Sequence, residues 1–151
     1  MALPTSIELQ IVTPDRMLVH EQVDEVEIPG VDGYFGVLPG HTPLLAALSV
    51  GELWYRKGQD KTYLAIAYGF AEVLPDRVTI LAQLAERAEE IDVERAELAR
   101  TRASERLGQK SDVDYERARM ALTKSLTRLQ VSSRIASGAG PRLKRVRREG
   151  S

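Results

Sequence analysis

Arg77-Val-Thr-Ile-Leu-Ala-Gln-Leu-Ala-Glu-Arg-Ala-Glu-Glu-Ile-Asp-Val-Glu-Arg-Ala96 changes its periodicity along its own length. Residues 77–82 set Val78 and Ile80 two apart, just after the turn pair Pro75-Asp76. That is a strand entered from a tight turn. From Ile91 the composition shifts to Ala, Glu, Arg and Leu, all good helix formers, and Asp92 stands where a helix N-cap would. The chain therefore divides at about residue 85, with strands before it and helices after it.

Working back toward the N-terminus, the strand signals continue. Ile7, Leu9 and Ile11 alternate with Glu8, Gln10 and Val12, the period-2 pattern of a half-buried strand. A less clean alternation covers residues 23–28. Residues 51–58, 62–67 and 69–74 read as three further strands, with Gly58-Gln59-Asp60 and Pro75-Asp76 as turns. Many short strands at close spacing predict an antiparallel β sandwich or flattened barrel over residues 1–84. Working forward, Ala96, Ala99, Ala103 and Leu107 fall at helical spacing until Gly108-Gln-Lys-Ser111 interrupts them. Asp112 or Asp114 is placed to cap a second helix, whose apolar face is Ala118, Ala121, Leu122, Leu126 and Leu129. Two helices with a short break predict an antiparallel α-helical hairpin over residues 85–136. Residues 137–151 read as a flexible basic tail. The expected fold is thus an all-β N-terminal sandwich plus a C-terminal antiparallel helical hairpin, α+β overall.

Composition narrows the function. The 151 residues include no cysteine, which excludes a disulfide framework, a thiolate metal site and a cysteine nucleophile. With two histidines, His20 and His41, far apart in sequence, no metal site is expected. No apolar run approaches the roughly 20 residues of a membrane helix, and the N-terminus alternates where a signal peptide would not. A net charge of −1 hides a gradient: residues 1–84 are acidic, and the C-terminal end is basic, with Arg142, Lys144, Arg145, Arg147 and Arg148 against Glu149. The tail has no interleaved aromatic residue, so nucleic acid is not an expected partner. Gly30, Gly33 and Gly36 do not form a phosphate loop, since no GxxxxGK[ST] occurs.

Alanine dominates the helical faces. Burial contributes about 0.8 kcal/mol per CH₂, so an alanine stripe docks far more weakly than a leucine stripe. It also leaves the helices intact when undocked, as a movable element needs.

Three stretches carry a family resemblance. Gly30-Val-Asp-Gly-Tyr-Phe-Gly-Val-Leu-Pro-Gly-His-Thr-Pro-Leu-Leu45 resembles the Gly-rich loop and "LPGH-P-L" segment of F-type ATP synthase epsilon subunits. Tyr68-Gly-Phe-Ala-Glu-Val73 is similar to that family's "GGFAEV" strand, with Tyr68 in place of the first glycine. Residues 82–96 resemble its domain junction. The resemblance covers roughly residues 5–130. It implies a non-catalytic rotor subunit that couples gamma to the c-ring in proton-driven ATP synthesis, peripheral to the cytoplasmic face of a bacterial cell membrane. It also implies a hairpin that extends toward the alpha and beta subunits and blocks ATP hydrolysis. Gly33, Tyr34, Phe35 and His41 are the implied c-ring and gamma contacts, with Tyr34 and Phe35 expected at a loop tip.

Ile91-Asp92-x-x-Arg95-Ala96 resembles the "I/L-D-x-x-R-A" ATP-binding motif of some bacterial members. Arg95 and Arg102 share one helix face, as do Lys124 and Arg128. Two such columns can converge on a polyphosphate. Glu86, Ile91 and Asp92 are expected on the base and ribose side, and Ala96 leaves room beside Arg95. Lys124 stands where ATP-binding members carry Arg, which turns a two-pronged grip into a point charge. ATP is thus an expected regulatory ligand, and no catalytic cofactor is expected. Competing readings are a structural linker of gamma and c-ring without ATP sensing, and a free-standing nucleotide-binding module. Enzymatic activity is the weakest reading, since no nucleophile, metal cluster or phosphate loop is visible.

Overall fold

The computed structural model describes residues 3–108 and 115–136. The expected caps Asp112 and Asp114 and the basic tail lie outside the described residues. Seven strands come first: β1 (Ile7–Val12), β2 (Met17–Val23), β3 (Glu25–Gly30), β4 (Gly33–Val37), β5 (Leu44–Lys57), β6 (Asp60–Val73) and β7 (Arg77–Arg87). A single 3-10 turn, Ala88–Glu90, leads to α1 (Val93–Gly108) and α2 (Tyr115–Ala136). The architecture is a seven-stranded β sandwich followed by a two-helix hairpin. β7 runs past residue 84 to Arg87, beyond the division read from the sequence.

The strands form one hydrogen-bonded sheet in the order β2-β1-β7-β6-β5-β3-β4. Most neighbours are antiparallel, but β1 pairs with β7 in parallel, Glu8 opposite Arg77 and Val12 opposite Leu81. The expectation of a purely antiparallel sandwich is corrected there. β1 and β7 are joined by no hairpin, so no turn forces them antiparallel.

The sheet folds over itself at a corner in its three long strands. In β6, Leu64 and Ile66 enter the main core, but beyond the corner Ala71 and Val73 do so. Inward parity has switched. β5 switches between Leu48 and Leu53, and β7 between Ala82 and Ala85. The switch in β6 occurs at Tyr68, with φ of 60°, followed by Gly69 at 125°. A Cβ on Gly69 would collide with the Leu81 carbonyl oxygen of β7, so glycine is required by space as well as by φ. Residues 62–67 and 69–74, read as two strands, are therefore one bent strand. A parity break in mid-strand looks in sequence like a gap between strands.

The folded sheet encloses one apolar core in which Ile7, Leu9, Ile11, Val26, Ile28, Leu53, Leu64 and Ile80 are fully buried. A second, smaller cluster lies outside it, where α2 crosses the back of β5 and β6. There Val131 meets Tyr63, Ala65, Ala88 and Ile91, with Trp54 at the rim. α1 packs principally on α2, and among the described residues of the two helices Ala96, Ala103, Ala118, Ser125 and Val131 are buried. Small side chains let the two helices lie close, at the cost of little apolar area.

Candidate functional site

The junction between sheet and hairpin is built from the Ile91-Asp92-x-x-Arg95-Ala96 motif. Asp92 Oδ1 accepts the Arg95 backbone N–H at 3.1 Å, and the Asp92 carbonyl accepts the Ala96 N–H at 3.0 Å. Asp92 is the N-cap of α1. Ile91 fills the cluster beneath the hairpin, and Ala96 is fully buried against the neighbouring helix. Arg95 projects from α1 as an exposed side chain, and so does Arg102.

Lys124 and Arg128 turn the other way, toward the sheet. Arg128 Nη2 donates to Glu86 Oε2 at 3.0 Å, and Arg128 Nε lies 2.7 Å from Glu86 Oε1. The second approach is close but poorly aligned, and Nε makes no hydrogen bond among the described residues. Lys124 Nζ sits 5.3 Å from the centre of the Tyr68 ring, a cation–π distance. Tyr68 is the residue standing where the resemblance leads one to expect glycine. It holds a positive φ that costs a side-chain-bearing residue about 1–2 kcal/mol, and its ring meets the hairpin.

Glu86, Lys124 and Arg128 line one small cavity with Val50, Ala65, Ile66, Ala67, Leu84 and Thr127. Its volume is about 40 Å³, room for one or two waters and far below the roughly 300 Å³ at which small-molecule pockets begin. The structure thus brings together three of the eight residues expected to bind ATP. Asp92 and Ala96 serve the start of α1, Ile91 is packed, and Arg95 and Arg102 do not line the cavity. A polyphosphate would have to separate Arg128 from Glu86 to use it.

A second ion pair ties the far end of α2 to the sheet. Arg134 Nε and Nη2 donate to Glu52 Oε2 and Oε1 at 3.0 and 2.9 Å. The same guanidinium lies 5.0 Å from the Tyr63 ring centre. The hydrogen bonds to Glu52 raise the Arg134 pKa above its ordinary value, against a smaller desolvation effect. Glu52 is 7 % exposed, so this two-pronged bond is what makes a carboxylate tolerable under the helix.

The expected partner contacts fall at the edge of the sheet. The tip of the β3–β4 hairpin is Val31-Asp32, not the aromatic pair, because Gly30 already pairs with Gly33. Tyr34 and Phe35 belong to β4. Phe35 is half-buried against the main core, and the Tyr34 hydroxyl accepts the Glu52 N–H at 3.1 Å. The loop-tip expectation for these two is corrected accordingly. His41 lies in the following turn, where its Nδ1–H donates to the Thr42 carbonyl at 2.6 Å. Gly40 N–H ties this turn to the Pro75 carbonyl at 2.7 Å.

The structure adds an apolar stripe that sequence reasoning missed. Ala47, Phe70, Leu81 and Val12 are successive cross-strand neighbours on β5, β6, β7 and β1. Phe70 and Leu81 are each more than half exposed, as is Leu45 further along β5. The parity switch at Tyr68 turns them outward. A signal was present: Phe70-Ala71 and Ile80-Leu81 are apolar at both parities, more than one buried face can use. Contiguous exposed apolar side chains on a sheet mark an interaction surface.

Residues 6–88 match the family described as ATP synthase, Delta/Epsilon chain, beta-sandwich domain, and residues 89–133 match its long alpha-helix domain. The ATP synthase epsilon chain of Koribacter versatilis is 55% identical over 102 residues, covering 68% of this chain and 72% of that one. ATP synthase epsilon chain 2 of Syntrophotalea carbinolica is 46% identical over 134 residues, covering 87% and 97%. Among solved structures, a chain of the Euglena gracilis mitochondrial ATP synthase OSCP/F1/c-ring assembly superposes with a TM-score of 0.68 at 24% identity, covering 91% of this chain and 84% of that one. A chain of the Tetrahymena thermophila mitochondrial ATP synthase central stalk and c-ring superposes at 0.56 and 13% identity, covering 89% and 98%. Both share the fold. On the family match over both parts of the chain, this protein belongs to the epsilon chains of F-type ATP synthases.

Proposed function

We propose that this chain is a rotor subunit that couples gamma to the c-ring and restrains ATP hydrolysis through its hairpin. The observation that carries the reading is the seam under α2. It holds few large apolar side chains and relies on two ion pairs, Glu86–Arg128 and Glu52–Arg134. Ion pairs lose little when both partners regain water, so such a seam can open at modest cost. The sheet stays with the rotor, and its apolar stripe at Phe70 and Leu81 is the face offered to gamma. Gly33, Tyr34 and His41 are the edge offered to the c-ring, on the cytoplasmic side of the membrane. The chain itself performs no chemistry.

ATP, on this proposal, favours the docked hairpin because it binds that form alone. Binding replaces Glu86 by phosphate at Arg128 and draws Arg95 inward. The second reading, a linker without ATP sensing, is favoured by the closed Glu86–Arg128 pair and the 40 Å³ cavity.

One set of experiments separates these. Removing residues after 88 raises ATP hydrolysis in the assembled complex while assembly and coupling persist. Unchanged hydrolysis under inhibiting conditions rejects the brake. Calorimetric titration of the isolated chain with ATP is expected to be saturable below about 10 mM. Arg95→Ala weakens it about tenfold, as loss of a charged hydrogen bond does. No saturable binding in the millimolar range leaves the linker.

A further inference from the structure

Beside α2 lies an open cleft of about 450 Å³, lined by Glu27, Tyr34, Glu52, Trp54, Gln130 and Arg134. Its floor is the outer face of β3 and β5, where Glu27 and Trp54 are register partners. Two carboxylates and two aromatic rings line the opening, and among the described residues Arg134 is the single cation in the lining. Arg134 is committed to Glu52 by both prongs. Glu27 makes no ion pair among the described residues. The same sheet face already gathers cations onto its rings: Lys61 lies 4.1 Å from the Trp54 ring centre and Arg134 lies 5.0 Å from that of Tyr63. The chemistry of the cleft is therefore that of a receptor for Lys and Arg side chains.

We infer that this cleft is the docking site of the chain's own basic segment, Arg142-Leu-Lys-Arg-Val-Arg-Arg148. Complementarity is one argument, since the segment brings five cations to a cleft with an uncompensated carboxylate. Reach is the other. α2 carries Arg134 into the cleft and runs to Ala136. Residues 137–141 can span up to about 17 Å when extended, and α2 ends two residues past Arg134, which lines the same cleft as Glu27. Tethering supplies an effective concentration on the order of millimolar, and weak individual contacts suffice for occupancy. The segment lies beyond the family match, which ends at residue 133.

Trp54 is the only tryptophan, so its fluorescence reads the cleft directly. The test compares the full chain with a full-length variant carrying Arg142→Gln, Lys144→Gln, Arg145→Gln, Arg147→Gln and Arg148→Gln. At about 10 mM salt the full chain emits to the blue of the variant. The difference vanishes toward 1 M salt, where the screening length falls to about 3 Å. A synthetic peptide of residues 137–151, added to the variant, restores the blue emission with a Kd of about 1 mM or tighter, as tethered occupancy requires. Glu27→Gln in the variant weakens the peptide about two- to fivefold, the range of a single exposed ion pair. Superimposable spectra at low salt overturn the inference, as does a peptide Kd above about 10 mM or one indifferent to Glu27→Gln. The measurement needs no gamma, c-ring or ATP, so its failure leaves the proposed rotor function standing, and the converse also holds.

Discussion

Val78 of β7 and Val131 of α2 are both completely buried, yet they sit in different kinds of interior. Val78 lies among Leu9, Leu53, Leu64 and Ile80, in a core closed on both sides by strands. Val131 lies in a thin cluster of Tyr63, Ala65, Ala88 and Ile91, with charged pairs about one turn to either side of it on the same helix. Burial of the residue is the same and the consequence of opening is different. Opening the first exposes large aliphatic side chains, each contributing about 1.5–3 kcal/mol. Opening the second exposes one valine, one isoleucine, one tyrosine and two alanines, and returns Glu52, Glu86, Arg128 and Arg134 to water. The first region is a foundation, and the second is a clasp.

The largest effect is expected in the foundation. Leu53→Ala removes a fully buried side chain from the sheet core and should destabilise the whole chain by about 2–5 kcal/mol. Leu126→Ala on α2, where the leucine is half exposed, should cost below about 1 kcal/mol. Denaturant titrations that gave the two equal costs would break the comparison.

The next effect belongs to the clasp. Arg134→Ala leaves Glu52 under α2 without its two-pronged partner. A carboxylate so placed recovers its hydration by lifting the helix, so the cost is capped by the docking energy, about 1–3 kcal/mol. Hydrogen exchange should quicken in residues 115–136 and remain unchanged in β1 and β6. Uniform quickening would mean that helix and sheet open as one unit.

How much of this was legible in sequence can be read from the same residues. Alternation at Ile7, Leu9 and Ile11 identifies a strand because β1 is short and faces one core. Ala96, Ala103 and Ala118 identify the helix seam because period and composition agree there. The corner at Tyr68 was not legible. Its cause is a positive φ and a close approach of β6 to β7, a tertiary fact that resets which residues face inward. Phe70 and Leu81 were missed as surface residues for that reason. The expected ATP residues were legible as helix faces, but the direction each face takes depends on the hairpin's docking geometry. Lys124 and Arg128 line the cavity against the sheet, whereas Arg95 and Arg102 are exposed and do not line it.

Tyr68 also yields the smallest and sharpest prediction. Tyr68→Gly relieves a positive φ worth about 1–2 kcal/mol in the sheet and removes a cation–π contact with Lys124 worth about 0.5–1 kcal/mol. The sheet's unfolding midpoint should rise slightly while exchange in α2 accelerates. A substitution that moved both regions in the same direction would show that the clasp is part of the foundation.

The absence of cysteine permits the most direct measurement. Val78→Cys and Val131→Cys place the same substitution in two equally buried positions, and labelling by a thiol reagent under native conditions reports how often each interior opens. Each 1.4 kcal/mol between the two openings is a factor of ten. The account predicts that Cys at 131 labels at least about a hundredfold faster than Cys at 78, because α2 lifts while the sheet stays closed. Equal labelling rates would contradict it, and with it the claim that the hairpin is built to leave the sheet.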